Sequence, residues 1–190
     1  MPKSVAPVPV KTRSGVDVPI VSLPQQELLS VHLDDIELLR DALGPGIHYK
    51  PIRLDQEHNE WVVLAVMEPG TSLPMHYHTG PVDLWTQQGR WYYAEYPDQP
   101  QVAGSYLYEP GGSVHTLFVP EDNTEDTHLM VRVSGSNINF NEDGSFHSIL
   151  DTIFLRHLTD QLAKEPINYI EGGEAGLTEG AAARDPQKKA

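Results

Sequence analysis

Two short stretches, GTSLPMHYHTG (residues 70–80) and GSYLYEPGGSVHTLFVP (residues 104–120), decide the fold of this chain. In the first, His76 and His78 are two residues apart, so on a strand both side chains project from one face and can share a ligand. In the second, a Pro-Gly-Gly turn precedes His115 and presents it from a neighbouring strand. By itself the His76–His78 pair could be two polar residues on a solvated strand face, and His115 from a second strand makes the three histidines a candidate metal site.

Short apolar runs surround these stretches between Tyr49 and Phe140. They are rich in Val, Tyr, Trp and Leu, as in WVVLAVM, VDLWTQ, WYYAEY and THLMVRV, and clusters of Gly, Pro and Asp separate them. Runs of this length between turn signals are typical of strands. The pattern predicts an antiparallel barrel or sandwich.

A helix is predicted on each side of the strands. Asp34 and Asp35 are expected to cap a short helix that Gly44-Pro45-Gly46 ends. Residues 146–165 carry apolar residues at helical spacing up to Pro166, which predicts a C-terminal helix.

The two ends of the chain differ in composition from the middle. Residues 1–20 are rich in Pro, Val and Ser without periodicity, and we expect them to form an N-terminal arm. Residues 171–190 combine Gly, Ala and charge with little to bury, which predicts a disordered tail. Residues 21–170, with the C-terminal helix, are then expected to be one domain.

Composition excludes several classes of function. The chain has no cysteine, so a metal site must use His, Asp or Glu. A net charge of -14 argues against nucleic acid, whose phosphates need clustered Lys and Arg. No stretch has the length or hydrophobicity of a membrane span or signal peptide, so we expect a cytoplasmic protein without a membrane partner.

The two stretches resemble the two motifs of the cupin superfamily, G-x5-H-x-H-x(3,4)-E-x6-G and G-x5-P-x-G-x2-H-x3-N. The matching positions are Gly70, His76 and His78 in the first motif and Gly104, Pro110, Gly112 and His115 in the second. The resemblance implies a mainly β, single-domain cupin, a double-stranded β-helix or jelly-roll barrel, with flanking N-terminal and C-terminal helices. It also implies that the three histidines hold a divalent metal.

The glutamate of the first motif, which is usually the fourth ligand, is replaced here by Asp83, so Asp83 is one candidate for that ligand. Glu95 is a second candidate. Strand alternation would place it on one face with Trp91 and Tyr93, where burial is costly unless it meets a metal or a donor. The alternative is that Glu95 lies outside and is solvated.

A wider similarity covers HYHTGPVDLWTQQGRWYYAEY and the second stretch. The segments HxHTGPV, G-x-W-x-Y-x-E and YEP-x-GS-x-HTL, at residues 76–82, 89–95 and 108–117, resemble the 2,4'-dihydroxyacetophenone dioxygenase family of cupins. That resemblance implies non-haem Fe(II) and dioxygen, used to cleave an aromatic hydroxyketone into 4-hydroxybenzoate and formate. It implies Glu95 as fourth ligand or supporting partner, and we place Glu95 and Tyr93 as the catalytic residues.

The substrate pocket is expected among apolar and aromatic residues of the same strands. These are Trp91, Tyr106, Leu117 and Val119. Tyr106 and Glu109 have opposite parity on one strand, so one of the two faces outward. Histidine nitrogens suit Fe, Zn, Ni and other divalent metals alike, so Fe(II) rests on the resemblance.

Two alternatives to the hydroxyketone dioxygenase stay open from the sequence. The expected substrates are a small ketone and dioxygen, and a β-diketone such as acetylacetone would need nearly the same site. A non-enzymatic metal-binding cupin sensor would carry the same histidines, because a fold does not define a function. An exposed sheet edge favours pairing with a second copy, which predicts a homodimer or homotetramer.

Overall fold

The structure is a computed structural model that describes residues 8–22, 31–164, 168–169 and 174–176. The described residues before residue 31 belong to one compact unit and those after it to a second. In the first unit, strands β1 (Val8–Lys11) and β2 (Asp17–Ser22) form an antiparallel hairpin.

The second unit consists almost entirely of strands. They are β3 (Ile47–Asp55), β4 (Glu60–Met67), β5 (His76–His78), β6 (Val82–Gln88), β7 (Arg90–Tyr93), β8 (Gln101–Val102), β9 (Tyr106–Glu109), β10 (Val114–His115), β11 (Leu117–Phe118), β12 (Thr127–Ser134), β13 (Asn137–Phe140), β14 (Phe146–Leu150), β15 (Asn168–Tyr169) and β16 (Glu174–Gly176). One helix, α1 (Thr152–Leu162), follows β14. The mainly β class predicted from the short apolar runs is confirmed.

The described strands of the second unit form three antiparallel sheets. The largest has the strand order β15-β16-β3-β4-β12-β6-β9. A second sheet has the order β10-β5-β13-β14, and a third the order β11-β7-β8. The second sheet carries both histidine stretches, so its strand order positions the candidate site.

The core contains the inward side chains of these sheets. Its largest fully buried members are Trp91, Tyr49, Leu54, Met67, Leu129, Leu155, Val82 and Val133. Strand alternation explains which side chains are buried. In β6, for example, the buried Val82 and Leu84 flank Asp83, which points to the other face. Helix α1 covers the core at β3, where the Tyr49 hydroxyl donates to the Leu155 carbonyl.

The N-terminal helix predicted from Asp34 to Gly44 is wrong. In this part of the chain Leu33–Asp35 form a short 3-10 helix, and no α-helix follows among residues 36–46. Beyond it, Leu39 and Tyr49 exchange backbone hydrogen bonds of 2.9 and 3.2 Å, which holds Leu39 in an extended bridge. Pairing with β3 satisfies the backbone there in place of helical bonds.

The predicted C-terminal helix begins later than the apolar spacing indicated. Residues 146–150 are β14, which pairs with β13, and Asp151 separates this strand from α1. The Asp151 carboxylate accepts a 2.9 Å hydrogen bond from the Phe154 amide, so it caps the helix. Short apolar runs are compatible with either period, and sheet pairing decided this one.

The predictions for the chain ends fall largely outside the described residues. Of the predicted arm, the structure describes residues 8–20, within the β1-β2 hairpin region. Of the predicted tail it describes residues 174–176, which form β16 and pair with β3. Within the described parts of the chain, no helix is long and apolar enough to cross a membrane.

Candidate metal centre

Three buried histidines converge from two neighbouring strands. His76 and His78 lie on β5, and His115 on β10 pairs directly with His76. One ring nitrogen of each lies within 4.8 Å of the others. The three side chains are 3–4 % exposed. The structure therefore brings together the three residues that the two sequence stretches predicted.

The local chain geometry explains this convergence. Along β5 the burial alternates, so Tyr77 points outward between the two inward histidines. The turn before β10 is bonded to β5, because the Gly112 amide donates to the His78 carbonyl at 2.7 Å and the His78 amide donates to the Ser113 carbonyl at 3.0 Å. Gly112 has φ +92°, a conformation that favours glycine, so the motif glycine is needed to place His115 beside His78.

The orientation of the imidazoles suits metal binding. His76 donates its Nδ1 hydrogen to the Pro74 carbonyl at 2.7 Å, which leaves Nε2 with a free lone pair. Burial lowers the pKa of His76 to about 4, so its ring is neutral at pH 7. His78 Nε2 and His115 Nε2 are 3.0 Å apart and face each other.

A carboxylate that the sequence analysis left unassigned completes this group. Glu109 on β9 is 3 % exposed, and its Oε2 lies 2.9 Å from His78 Nε2 and 3.2 Å from His115 Nε2. Burial alone would raise the pKa of Glu109, but the close approach of the His115 and His78 imidazoles outweighs it and lowers the pKa to about 2. Glu109 is therefore ionised at neutral pH.

Tyr93 supports both Glu109 and His115. Its hydroxyl donates to Glu109 Oε1, and its ring stacks on His115 with centroids 3.9 Å apart. Burial, followed by the nearby charge of Glu109, raises the pKa of Tyr93 well above its usual value, so the phenol stays protonated. Tyr93 thus holds the carboxylate oxygen Oε1, while Oε2 faces His78 and His115.

The donor set fits a divalent metal. Glu109 Oε2 is buried and makes no contact with hydrogen-bond geometry, although two imidazole nitrogens are within 3.2 Å of it. An oxygen and two nitrogens that approach one another without bonding are typical of groups directed at a shared cation. The cluster of His76, His78 and His115 can hold a divalent metal, with Glu109 beside it.

Glu95, predicted as a fourth ligand and catalytic residue, lies elsewhere. Strand β7 ends at Tyr93, and a turn follows in which the Tyr96 amide donates to the Tyr93 carbonyl at 2.9 Å. Alternation therefore stops before Glu95. Its exposed carboxylate accepts hydrogen bonds from the amide and hydroxyl of Thr116 at 2.9 and 3.2 Å. The carboxylate beside the histidines is Glu109.

Asp83 and Tyr106 lie on the outer face of the large sheet. The Tyr106 hydroxyl donates to Asp83 at 2.6 Å, and Arg132 pairs with the same carboxylate at 3.0 Å. Tyr106 is 54 % exposed. Asp83 therefore points away from the three histidines. The expectation that Tyr106 lines the pocket is corrected, because the inward positions of β9 belong to Leu107 and Glu109.

The alternation of side chains along β9 was the sequence signal that could have identified Glu109. Tyr106 and Glu109 occupy opposite faces of β9, and an acidic residue next to the turn before His115 is the more informative one to place inside. The opposition follows from the sequence, and the expectation that Tyr106 lines the pocket directs Glu109 outward. The structure has the reverse, because the histidines supply the partner that a buried carboxylate needs.

A cleft opens beside His76. It has a volume of about 210 Å³, and Leu43, Leu150 and Phe154 contribute to its apolar wall. Asn137 adds a polar group at the same wall. The other predicted pocket residues are absent from its lining among the described residues; Trp91, Leu117 and Val119 pack in the core at no more than 3 % exposure.

Comparison with known proteins gives the family. The model of the ChrR cupin-like domain matches residues 26–135. A protein of unknown function with a cupin-like fold from Ralstonia eutropha JMP134 is 38 % identical, with a TM-score of 0.69 over 74 % of this chain and 88 % of that one. No curated protein matches the sequence.

Two more distant crystal structures share the fold. An RmlC-like cupin protein from the same organism is 23 % identical, with a TM-score of 0.63 over 70 % of this chain and 83 % of that one. An acetylacetone dioxygenase from Acinetobacter johnsonii is 16 % identical, with a TM-score of 0.61 over 77 % of this chain and 99 % of that one. The predicted cupin fold is confirmed.

Proposed function

We propose that this chain, which belongs to the family of ChrR cupin-like domains, is a metal-dependent dioxygenase that cleaves a carbon–carbon bond of a small ketone. The proposed substrate is an aromatic hydroxyketone of the 2,4'-dihydroxyacetophenone kind, with Fe(II) as the metal. The observation that carries the proposal is the convergence of His76, His78, His115 and Glu109, with His76 lining a cleft that has an apolar wall.

The charge of the donor set favours an anionic oxygen ligand. Three neutral imidazoles and one carboxylate leave a net single positive charge on a divalent metal, which suits the monoanion of an ionised ketone. A bound Fe(II) would supply Lewis acidity for the ketone oxygens and the electron-transfer chemistry that dioxygen requires. The protein contributes the fixed ligand geometry and the charge.

The protein residues around this site hold it in one arrangement. The Pro74 carbonyl fixes the tautomer of His76, and the Tyr93 hydroxyl fixes Glu109. Burial of every member excludes bulk water, so charges inside the site act at a low dielectric. The apolar wall of the cleft accepts an aromatic ring.

The overall reaction balances without a further reductant. A hydroxymethyl ketone and one dioxygen molecule give a carboxylic acid and formic acid, so both oxygen atoms enter the products. The bond that breaks joins the carbonyl carbon to the hydroxymethyl carbon. Four electrons pass from this carbon pair to dioxygen, because the carbonyl carbon rises by one oxidation level and the hydroxymethyl carbon by three.

Oxygen uptake by the reconstituted protein tests the proposal. Metal-free protein is loaded anaerobically with Fe(II) and mixed with 2,4'-dihydroxyacetophenone in aerated buffer, and oxygen consumption and formate are both quantified. We expect equal molar amounts of each, and no turnover by His115→Ala. Tight binding of one metal per chain without oxygen uptake would reject the dioxygenase and favour a non-enzymatic metal-binding cupin.

A β-diketone is the second candidate substrate. The observation in its favour is the shared fold with the acetylacetone dioxygenase of Acinetobacter johnsonii over nearly that whole chain. A β-diketone also ionises to a monoanion with two oxygens, so the same charge argument applies. Parallel assays with acetylacetone separate the two, because the preferred ketone is the one with the higher kcat/KM at equal metal loading.

A further inference from the structure

We propose that Asn137 positions the metal ligand His78 by accepting a hydrogen bond from its Nδ1 hydrogen, directly or through one water molecule. The inference rests on the metal-binding part of the proposed function and is independent of the substrate. It concerns two buried atoms, His78 Nδ1 and Asn137 Oδ1, neither of which has a hydrogen-bond partner.

Strand pairing places the two residues side by side. In the antiparallel pair of β13 and β5, Asn137 lies directly opposite His78. Directly opposed side chains share one face of the sheet, with Cβ atoms about 4.5–5.5 Å apart. Asn137 is 7 % exposed and His78 is 3 % exposed, so both belong to the interior.

The two atoms are chemically complementary. His78 directs Nε2 toward His115 and Glu109, so Nδ1 is the nitrogen that carries the hydrogen in a metal-bound ring. Asn137 offers an amide oxygen, which only accepts. A buried donor and a buried acceptor each cost free energy when they have no hydrogen-bond partner. A small rotation of the Asn137 carboxamide, or one bridging water, would give both atoms a partner.

His76 shows the same arrangement in completed form. Its Nδ1 donates to the Pro74 carbonyl at 2.7 Å, which fixes the ring with Nε2 toward the site. Metal-binding histidines regularly donate their second ring hydrogen in this way, and loss of the acceptor weakens metal binding. For His78, no backbone carbonyl has this role in the described structure, and Asn137 is the facing acceptor.

Asn139 provides a matched control two residues away. It lies on the same face of β13, opposite His76, and lines the same cleft. Its amide already donates to Ser148 Oγ at 3.0 Å, and its facing histidine already has Pro74 as acceptor. Asn139→Leu alters the same cleft as Asn137→Leu but removes no acceptor for a ligand histidine.

The test measures metal affinity, without turnover. Zn(II) and Co(II) dissociation constants of the full chain are obtained by competition with a chromophoric chelator for wild type, Asn137→Leu, Asn137→Asp and Asn139→Leu. We expect Asn137→Leu to bind about 10–100-fold more weakly. Asn137→Asp, which keeps an acceptor, should bind at least as tightly as wild type, and Asn139→Leu should stay within about threefold of it.

A second measurement tests the proposal without Asn137→Leu, in case that variant does not fold. In Zn-loaded wild type, long-range ¹H–¹⁵N spectra of the imidazoles should show a protonated, slowly exchanging Nδ1 on His78, and Asn137→Asp should retain it. Wild-type affinity in Asn137→Leu, or an unprotonated Nδ1 in wild type, would overturn the proposal. Absence of oxygenase activity with an intact affinity difference would reject only the substrate chemistry.

Discussion

Two polar clusters on opposite faces of the sheets contain similar residues in different states. The inner cluster consists of His76, His78, His115, Glu109 and Tyr93. The outer cluster consists of Arg53, Glu60, Asp83, Tyr106 and Arg132. Each contains a tyrosine that donates to a carboxylate and cationic or potentially cationic groups around it.

The charged members of the outer cluster are paired with one another. Arg132 pairs with both Glu60 and Asp83, Arg53 pairs with Glu60, and Tyr106 donates to Asp83. The inner cluster is incomplete, because two of its side-chain atoms, His78 Nδ1 and Glu109 Oε2, are buried without a hydrogen-bond partner. A satisfied cluster stabilises the sheet, whereas an unsatisfied buried one indicates a binding site.

Removal of an inner ligand should have the largest effect. His115→Ala deletes one of three nitrogens, so we expect metal affinity to fall by more than about 100-fold, beyond the loss typical of a supporting residue. Metal content after dialysis, measured by plasma mass spectrometry, checks this. Arg132→Ala from the outer cluster is the control, and equal metal loss in both variants would refute the distinction between the clusters.

Replacing the inner carboxylate comes next in size. Glu109→Gln keeps the shape of the side chain and removes the charge beside His78 and His115, so metal affinity should fall about 10–100-fold. Glu95→Gln, the carboxylate bonded to Thr116, should leave it unchanged. Chelator competition compares the two, and a larger loss in Glu95→Gln would restore the sequence-based assignment.

The two tyrosine–carboxylate pairs give a smaller, matched comparison. Tyr93→Phe leaves a buried ionised oxygen of Glu109 without its donor, which should cost about 1–3 kcal/mol of unfolding free energy. Tyr106→Phe leaves Asp83 with Arg132 and solvent, so the loss should stay below about 1 kcal/mol. Urea unfolding of the metal-free proteins measures both, and equal losses would contradict the assignment of the two faces.

The smallest effect concerns acid stability of the outer cluster. Partial burial opposes ionisation of Glu60, but hydrogen bonds from Arg132 and Arg53 prevail and lower its pKa. A lowered pKa stabilises the folded state above the unfolded value of about 4.3, and this contribution disappears as the pH falls through the folded value. Glu60→Gln should therefore reduce stability at pH 7 by less than about 1 kcal/mol.

The pH dependence of this difference is the readout. Thermal unfolding of wild type and Glu60→Gln from pH 7 to pH 3 should show two curves that converge at low pH. Metal content should be the same in both proteins throughout. Curves that diverge on acidification would mean that Glu60 is not held ionised by its arginines.

Short-range patterns predicted much of the fold and part of the site. Alternation identified His76 and His78 as a pair, and the Pro-Gly-Gly turn identified His115, because strand period and turn chemistry act over a few residues. The mainly β class followed from the same signals. The helix predicted over 146–165 shows the limit, since its first part pairs with β13.

The carboxylate of the site shows the limit more sharply. Extending alternation from Trp91 predicted an inward Glu95, but the strand ends at Tyr93 and a turn redirects the chain. For Glu109 the local pattern left two faces open. The choice depended on His78 and His115, which lie 31 residues before and 6 residues after it in the chain.

The sequence by itself therefore determined the cupin motifs, the three histidines and the absence of thiolate ligands. The tertiary structure decided which acid meets them, where Asp83 and Tyr106 point, and that Asn137 lies opposite His78. The physical reason is that side-chain direction follows from local period, whereas the energy of burying a charge depends on partners that only strand pairing brings within reach.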